Sequence, residues 1–125
     1  MNSDSIKQLI FNSGLPMTRI KITLDAALVL YDIIKTTDTI DVVVDNKLWD
    51  KLHDKEIYSN DTLLYNGLVL HRSAFDIYNN NDSISLENLY TIYLKIKKMY
   101  NTNNSEDCLN KLNLIKGYIR KIGKY

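Results

Sequence analysis

A chain of 125 residues with 45% apolar and 25% charged side chains is sized and mixed for one domain, residues 1–125, with an ordinary core, which excludes wholesale disorder. Sixteen basic against fifteen acidic residues leave a net charge of +1, so the chain as a whole has no general attraction for nucleic acid or an anionic membrane. The single cysteine, Cys108, cannot form an internal disulfide, and no apolar run reaches spanning length, so a cytoplasmic protein without a membrane role is expected.

In chain order, residues 3–13 read as a helix capped by Ser3 or Asp4, with Ile6, Leu9, Ile10 and Ser13 on one face. Gly14 and Pro16 end it. Arg19-Ile20-Lys21-Ile22-Thr23 alternates charge and isoleucine, the pattern of an edge strand whose cations discourage further pairing. Asp25 or Thr23 caps a second helix, 26–34, apolar on nearly every side and so expected against a sheet. Residues 35–38 make a polar turn, and 40–44 a buried central strand whose one charge is Asp41. A carboxylate in such a run must face open space or find a partner.

Asp45-Asn46 caps a short helix with Trp49 and Leu52 inward, and Tyr58 to Thr62 reads as a polar connection. Asn66-Gly67 between two apolar runs predicts a tight hairpin over 62–71, because those residues accept the two positive φ angles it requires. Phe75 to Tyr78 reads as a further strand, and Asn79 to Asp82 as a loop. Ser85 then caps a helix with Leu86, Leu89, Tyr90, Tyr93, Ile96 and Tyr100 at helical spacing. A last helix, capped by Asn104 or Ser105, places Leu109, Leu112, Ile115, Ile119 and Ile122 inward. The expected class is α/β or α+β: a small mixed sheet with helices packed on it.

The stretch Leu24 to Asp45 carries a resemblance. Ala26-Ala27-Leu28-Val29-Leu30-Tyr31 followed by Thr37-Asp38-Thr39-Ile40-Asp41 resembles the opening of the nucleotidyltransferase fold in its small phage-type and AbiEii-like versions. There a glycine pair opens a helix of the form AALVLxG, and a T-x-D-I-D strand follows. The resemblance extends over roughly residues 20–119. It implies a site in which strand carboxylates hold divalent metal against a triphosphate, beside a glycine turn that admits the phosphates. Leu24-Asp25 stands where the glycine pair would be, and Thr39 where the first carboxylate would be. Asp41 retains the second carboxylate, and Asp76 matches the third. Where an R-x-K-D element would lie, the chain has Asn104-Ser105-Glu106-Asp107.

The resemblance thus implies a catalytically degenerate nucleotidyltransferase-like protein that acts by binding a host or phage protein and needs no cofactor. A phage or mobile-element origin fits the excess of lysine over arginine and the abundant asparagine, isoleucine and tyrosine, since AT-rich codons specify that mixture. A second reading is an active enzyme holding Mg²⁺ on Asp41 and Asp76. A third is a nucleic-acid-associated protein using Lys111, Lys116, Arg120, Lys121 and Lys124 of a final stretch that contains no acid, with tyrosines for stacking. The plain readings stand beside these. Asp41 can merely end an exposed strand face, Asp76 can cap the turn at Asn79 or pair with Arg72, and the cations can be a solvated helix face. His53 and His71 show no metal-ligand spacing, and Cys108 reads as a small buried residue.

Overall fold

Five strands form one mixed sheet in the order β1-β2-β5-β4-β3: β1 (Ile20–Thr23), β2 (Asp41–Val44), β3 (Ile57–Ser59), β4 (Thr62–Tyr65) and β5 (Leu68–Arg72). The structure is a computed structural model and describes residues 1–52, 57–59, 62–73, 76–79 and 83–122. Within it lie two compact units, Met1–Leu86 and Glu87–Tyr125. The class is the expected α+β arrangement.

β2 pairs antiparallel with β1 and parallel with β5, and β5 pairs antiparallel with β4. These registers set the two faces. Ile20, Ile22, Val42, Val44, Leu63, Leu68 and Leu70 are essentially fully buried on one side. Lys21, Thr23, Asp41, Val43, Leu64, Val69 and His71 occupy the other. Helix α2 (Leu24–Leu30) packs on β1 and β2, and α1 (Ser3–Asn12) packs on α2. The buried face of α1 is Ile6 and Ile10, with Ser13 just beyond, while Leu9 is exposed. Its cap is Asn2, one residue earlier than expected, whose Oδ1 accepts from the Ser5 N–H at 3.0 Å.

α2 ends at Leu30, a turn earlier than its apolar run suggests. The Ile33 N–H donates to the Leu28 carbonyl and the Asp32 N–H to the Val29 carbonyl, with Asp32 left-handed at φ 64°. This double closure satisfies the last carbonyls and turns the chain toward β2. The hairpin forms as expected: Asn66 and Gly67 have φ of 49° and 82°, and the Asn66 amide also donates to the Ser13 carbonyl at 3.1 Å.

Other expectations are corrected as well. The connection at Ile57–Ser59 is an edge strand, because its backbone pairs with Thr62 and Leu63. Residues 76–79 are irregular, because tertiary bonds replace the ladder there: the Ile77 N–H donates to Asp45, and Asn79 donates to the carbonyls of Thr18, Met17 and Ile20. Phe75 of that expected strand lies outside the described residues. Finally, Ser85 caps no helix. Its carbonyl accepts from the Ile22 N–H at 2.9 Å, and Leu86 forms a parallel bridge with Ile22, partly covering the β1 edge.

The second unit is a helical hairpin. α4 (Leu89–Asn103) is capped by Asn88 and closes on a left-handed Asn104, and α5 (Glu106–Ile122) packs against it. Ser105 caps α5 as expected, accepting from the Cys108 N–H at 3.4 Å. The buried side chains are Ile92 and Ile96 of α4 and Cys108, Leu112 and Ile115 of α5, while Tyr90, Leu109 and Ile122 are exposed.

Asp45, just after β2, is wholly buried at 0% exposure. It caps α3 (Asn46–Leu52) as expected, its Oδ1 accepting from the Lys47 N–H at 2.9 Å. Oδ2 accepts from the Ile77 N–H at 2.7 Å, and Arg19 Nη1 stands 3.4 Å from Oδ1. The Ile77 bond foremost, with the Lys47 N–H and the Arg19 charge, outweighs burial and holds this carboxyl below the usual carboxylate range.

Two outcomes are expected. Asp45→Asn should lower stability, and should flatten the acid limb of its pH dependence. A depressed folded pKa stabilises above the unfolded value of about 3.9 and loses that contribution as pH falls through the folded value. Urea midpoints from pH 7 to pH 2.5 test this, and parallel curves for the two proteins would refute it. Asp32→Gly should raise stability by about 0.5–1 kcal/mol, since glycine takes the left-handed angle without a Cβ penalty. The same titration at pH 7 reads it, and an unchanged or lower midpoint would count against it.

Candidate functional site

The half-open face of the sheet is organised by β2 and β5. Asp41 opens β2 opposite Val69, and His71 lies two residues further along β5, opposite Val43. Residues two apart on a strand share a face, so the pleat puts Asp41 and His71 diagonally together on the face opposite Ile22, Val42 and Leu70. His71 Nε2 lies 2.7 Å from Asp41 Oδ1. The carboxylate is 14% exposed and the imidazole 32%. An ionised Asp41 only accepts, so Nε2 is the donor, and in the neutral ring Nδ1 remains an acceptor.

The other carboxylate oxygen is also engaged, since the Thr39 hydroxyl lies 3.3 Å from Oδ2. The loop that presents Thr39 is itself tied down. Thr37 and Met1 exchange backbone hydrogen bonds of 2.6 and 3.0 Å, and the buried Thr37 hydroxyl donates to the Thr39 carbonyl at 3.1 Å. Lys21 and Thr23 extend the same face on β1, with Thr23 directly opposite Asp41. The turn from β1 into α2 therefore adjoins Asp41, and at that turn Leu24 takes a left-handed φ of 54°. A side chain pays about 1–2 kcal/mol for that conformation, which glycine adopts freely.

Asp76 is elsewhere. Its neighbour Ile77 is bonded to Asp45, and Asp45 lies four residues, or roughly 13 Å of strand, beyond Asp41. The two carboxylates considered for metal thus belong to opposite ends of β2. Arg72, a suggested partner of Asp76, donates through Nε to Asn46 Oδ1 at 2.8 Å. Among the described residues no group of three or more His, Cys, Asp or Glu side chains is placed to hold a metal ion. His53 lies outside the described residues.

The basic residues of α5 have separate environments. Lys111 pairs with Asp107 at 2.7 Å, one turn back on the helix. Lys116 sits over the Tyr93 ring, 5.9 Å from its centroid. Arg120 and Lys121 are exposed, and Lys124 lies outside the described residues.

Sequence reading found Asp41 and missed His71, its closest partner. The alternation of Leu68-Val69-Leu70-His71 does place His71 off the buried face, but pairing of β5 with β2 is set by tertiary structure.

The pair makes a measurable expectation. Asp41→Asn should cost about 0.5–1.5 kcal/mol, as an ordinary hydrogen bond weakens. In a double-mutant cycle with His71→Gln the two changes should couple by a comparable amount, because each removes the same bond. Additive effects would refute the coupling, and a gain in stability on removing the Asp41 charge would show that the carboxylate is held at a cost for another purpose.

No family model matches the chain, and neither a curated protein nor a solved structure matches it.

Proposed function

We propose that this chain is a binding module on a nucleotidyltransferase-like frame whose metal chemistry has been lost, encoded by a phage or mobile element and acting on a host or phage protein. The observation that supports this reading is the state of Asp41. Both of its oxygens are engaged within the fold, by His71 at 2.7 Å and Thr39 at 3.3 Å. A metal would have to displace the imidazole or share the carboxylate with it. The left-handed Leu24 beside Asp41 is in keeping with a turn shaped for glycine and now carrying a side chain. A surface suited to protein contact lies on α1, where Phe11 is 56% exposed beside a cleft of about 540 Å³ lined by Lys7, Phe11, Ser83 and Ile84. Exposed aromatic side chains of this kind often anchor interfaces.

Thermal unfolding with Mg²⁺ and each common nucleoside triphosphate tests the catalytic side, and no shift is expected. A ligand at a hundred times its dissociation constant would stabilise by about 2.7 kcal/mol. An upward shift that disappears in Asp41→Asn would show nucleotide and Mg²⁺ binding at Asp41, favour the active enzyme and overturn the proposal. On the binding side, a protein partner isolated with the wild-type chain should be retained by Asp41→Asn and lost by Phe11→Ser. Loss of the partner in Asp41→Asn with the fold intact would also count against it.

A further inference from the structure

The net charge of +1 conceals a segregation. Residues 1–86 carry eight basic and twelve acidic side chains, a balance of −4, whereas residues 87–125 carry eight basic and three acidic, a balance of +5. Two of those three acids are committed, Glu87 to Lys95 and Asp107 to Lys111, each at 2.7 Å. Among the described residues, Lys97, Lys98, Lys116, Arg120 and Lys121 are the hairpin's remaining cations, and all five are exposed.

Some of them flank a groove. Tyr90, Tyr93, Lys116, Ile119 and Arg120 line a cavity of about 340 Å³ between α4 and α5, within the range of ligand pockets. On α5, Lys116, Ile119 and Arg120 recur at i, i+3 and i+4. On α4, Tyr90 and Tyr93 share a face that continues to the exposed Lys97. Tyr90 is 63% exposed and Tyr93 half-buried, so both rings border the groove and solvent. The Lys116 ammonium already lies over the Tyr93 ring, so cation and aromatic face are presented together.

We infer that this groove binds single-stranded nucleic acid, with a base stacked on the Tyr90 and Tyr93 rings and flanking phosphates held by Lys116 and Arg120. Open aromatic faces can be covered by a base only where bases are unstacked, which favours a single strand over a duplex. Lysine and arginine beside the rings match the repeating phosphate charge, and arginine can engage a phosphate through two N–H groups. An isolated phosphorylated side chain would use the cations and leave the aromatic floor uncovered. This inference is independent of the reading of Asp41, which lies in the other unit.

Fluorescence anisotropy of the full-length chain with a labelled twelve-nucleotide oligothymidylate tests it, beside a duplex of equal length, a phosphopeptide and vesicles containing anionic lipid. The single strand should bind tightest. Tyr90→Ala should weaken binding about tenfold with an unchanged salt slope, and Tyr90→Phe should restore it, since stacking on an aromatic face is worth about 1–3 kcal/mol per base. Lys116→Gln with Arg120→Gln should weaken binding and lower the salt slope by about 1.4, at roughly 0.7 per phosphate contact on a single strand. These exposed substitutions should leave the far-ultraviolet circular dichroism unchanged. Absence of binding would overturn the inference, as would tighter binding of phosphopeptide or vesicles. Equal affinity for duplex with no loss in Tyr90→Ala would reduce the surface to general polycation attraction and overturn it too.

Discussion

Four stretches of chain meet at the buried Asp45 carboxylate. It terminates β2, starts α3 through the Lys47 N–H, receives the Ile77 N–H from a segment 32 residues away, and stands against Arg19 at the entrance to β1. Burying an ionised carboxylate is costly unless donors and charge replace water, and here they do so on both oxygens. Among the described residues no buried side-chain polar atom is left without a hydrogen-bond partner. The backbone at Asp45 joins in as well, its N–H donating to the Arg19 carbonyl and its carbonyl accepting from Trp49. The irregular 76–79 segment, tied further through Asn79 to Met17 and Ile20, depends on this anchor for its position.

β2 therefore bears a carboxylate at each end, and the two differ in everything except residue type. Asp45 is sealed and satisfied by backbone donors. Asp41 is partly open and meets an imidazole and a hydroxyl. The difference lies in what each end of the strand meets. Asp45 follows the last strand residue and is held by the Lys47 and Ile77 N–H groups and Arg19. The pleat instead puts Asp41 on the face of Val43 and His71, with Val42 and Val44 turned into the core. A one-residue slip in the β2–β5 register would bury the acid and expose the valines, so the apolar face that stabilises the sheet also fixes the Asp41–His71 pair.

Charge is divided between the two units in the opposite sense to what a net value near neutrality suggests. The first unit is acidic and the helical hairpin basic, and each retains exposed aromatic surface, Phe11 in one and Tyr90 in the other. Aromatic groups left in water beside cations are the economical material of recognition, since they supply contact area with few rotamers to freeze.

Much of the fold was legible in local chemistry. The Asn66-Gly67 hairpin, the cationic edge strand β1, the apolar α2, the Asp45 cap and the α5 start at Ser105 each follow from a residue's own conformational or hydrogen-bonding preference. Tertiary structure decided the rest. Ile57–Ser59 became a strand because an edge lay open beside β4, and Asp76 to Asn79 did not, because their polar groups found partners at Asp45 and along 17–20. Helix α2 stopped at Leu30 because Asp32 accepts a left-handed turn that leads the chain to β2, a destination no local window contains. For the site, the sequence marked Asp41 as a charge needing an explanation. Only the parallel pairing of β2 with β5, a contact across 30 residues, supplied His71 as its partner, and the Ile77 bond to Asp45 put Asp76 at the far end of the strand. Local preferences act within a few residues and are written in the chain, whereas the partner of a strand face is chosen by which sheet order buries the most apolar surface.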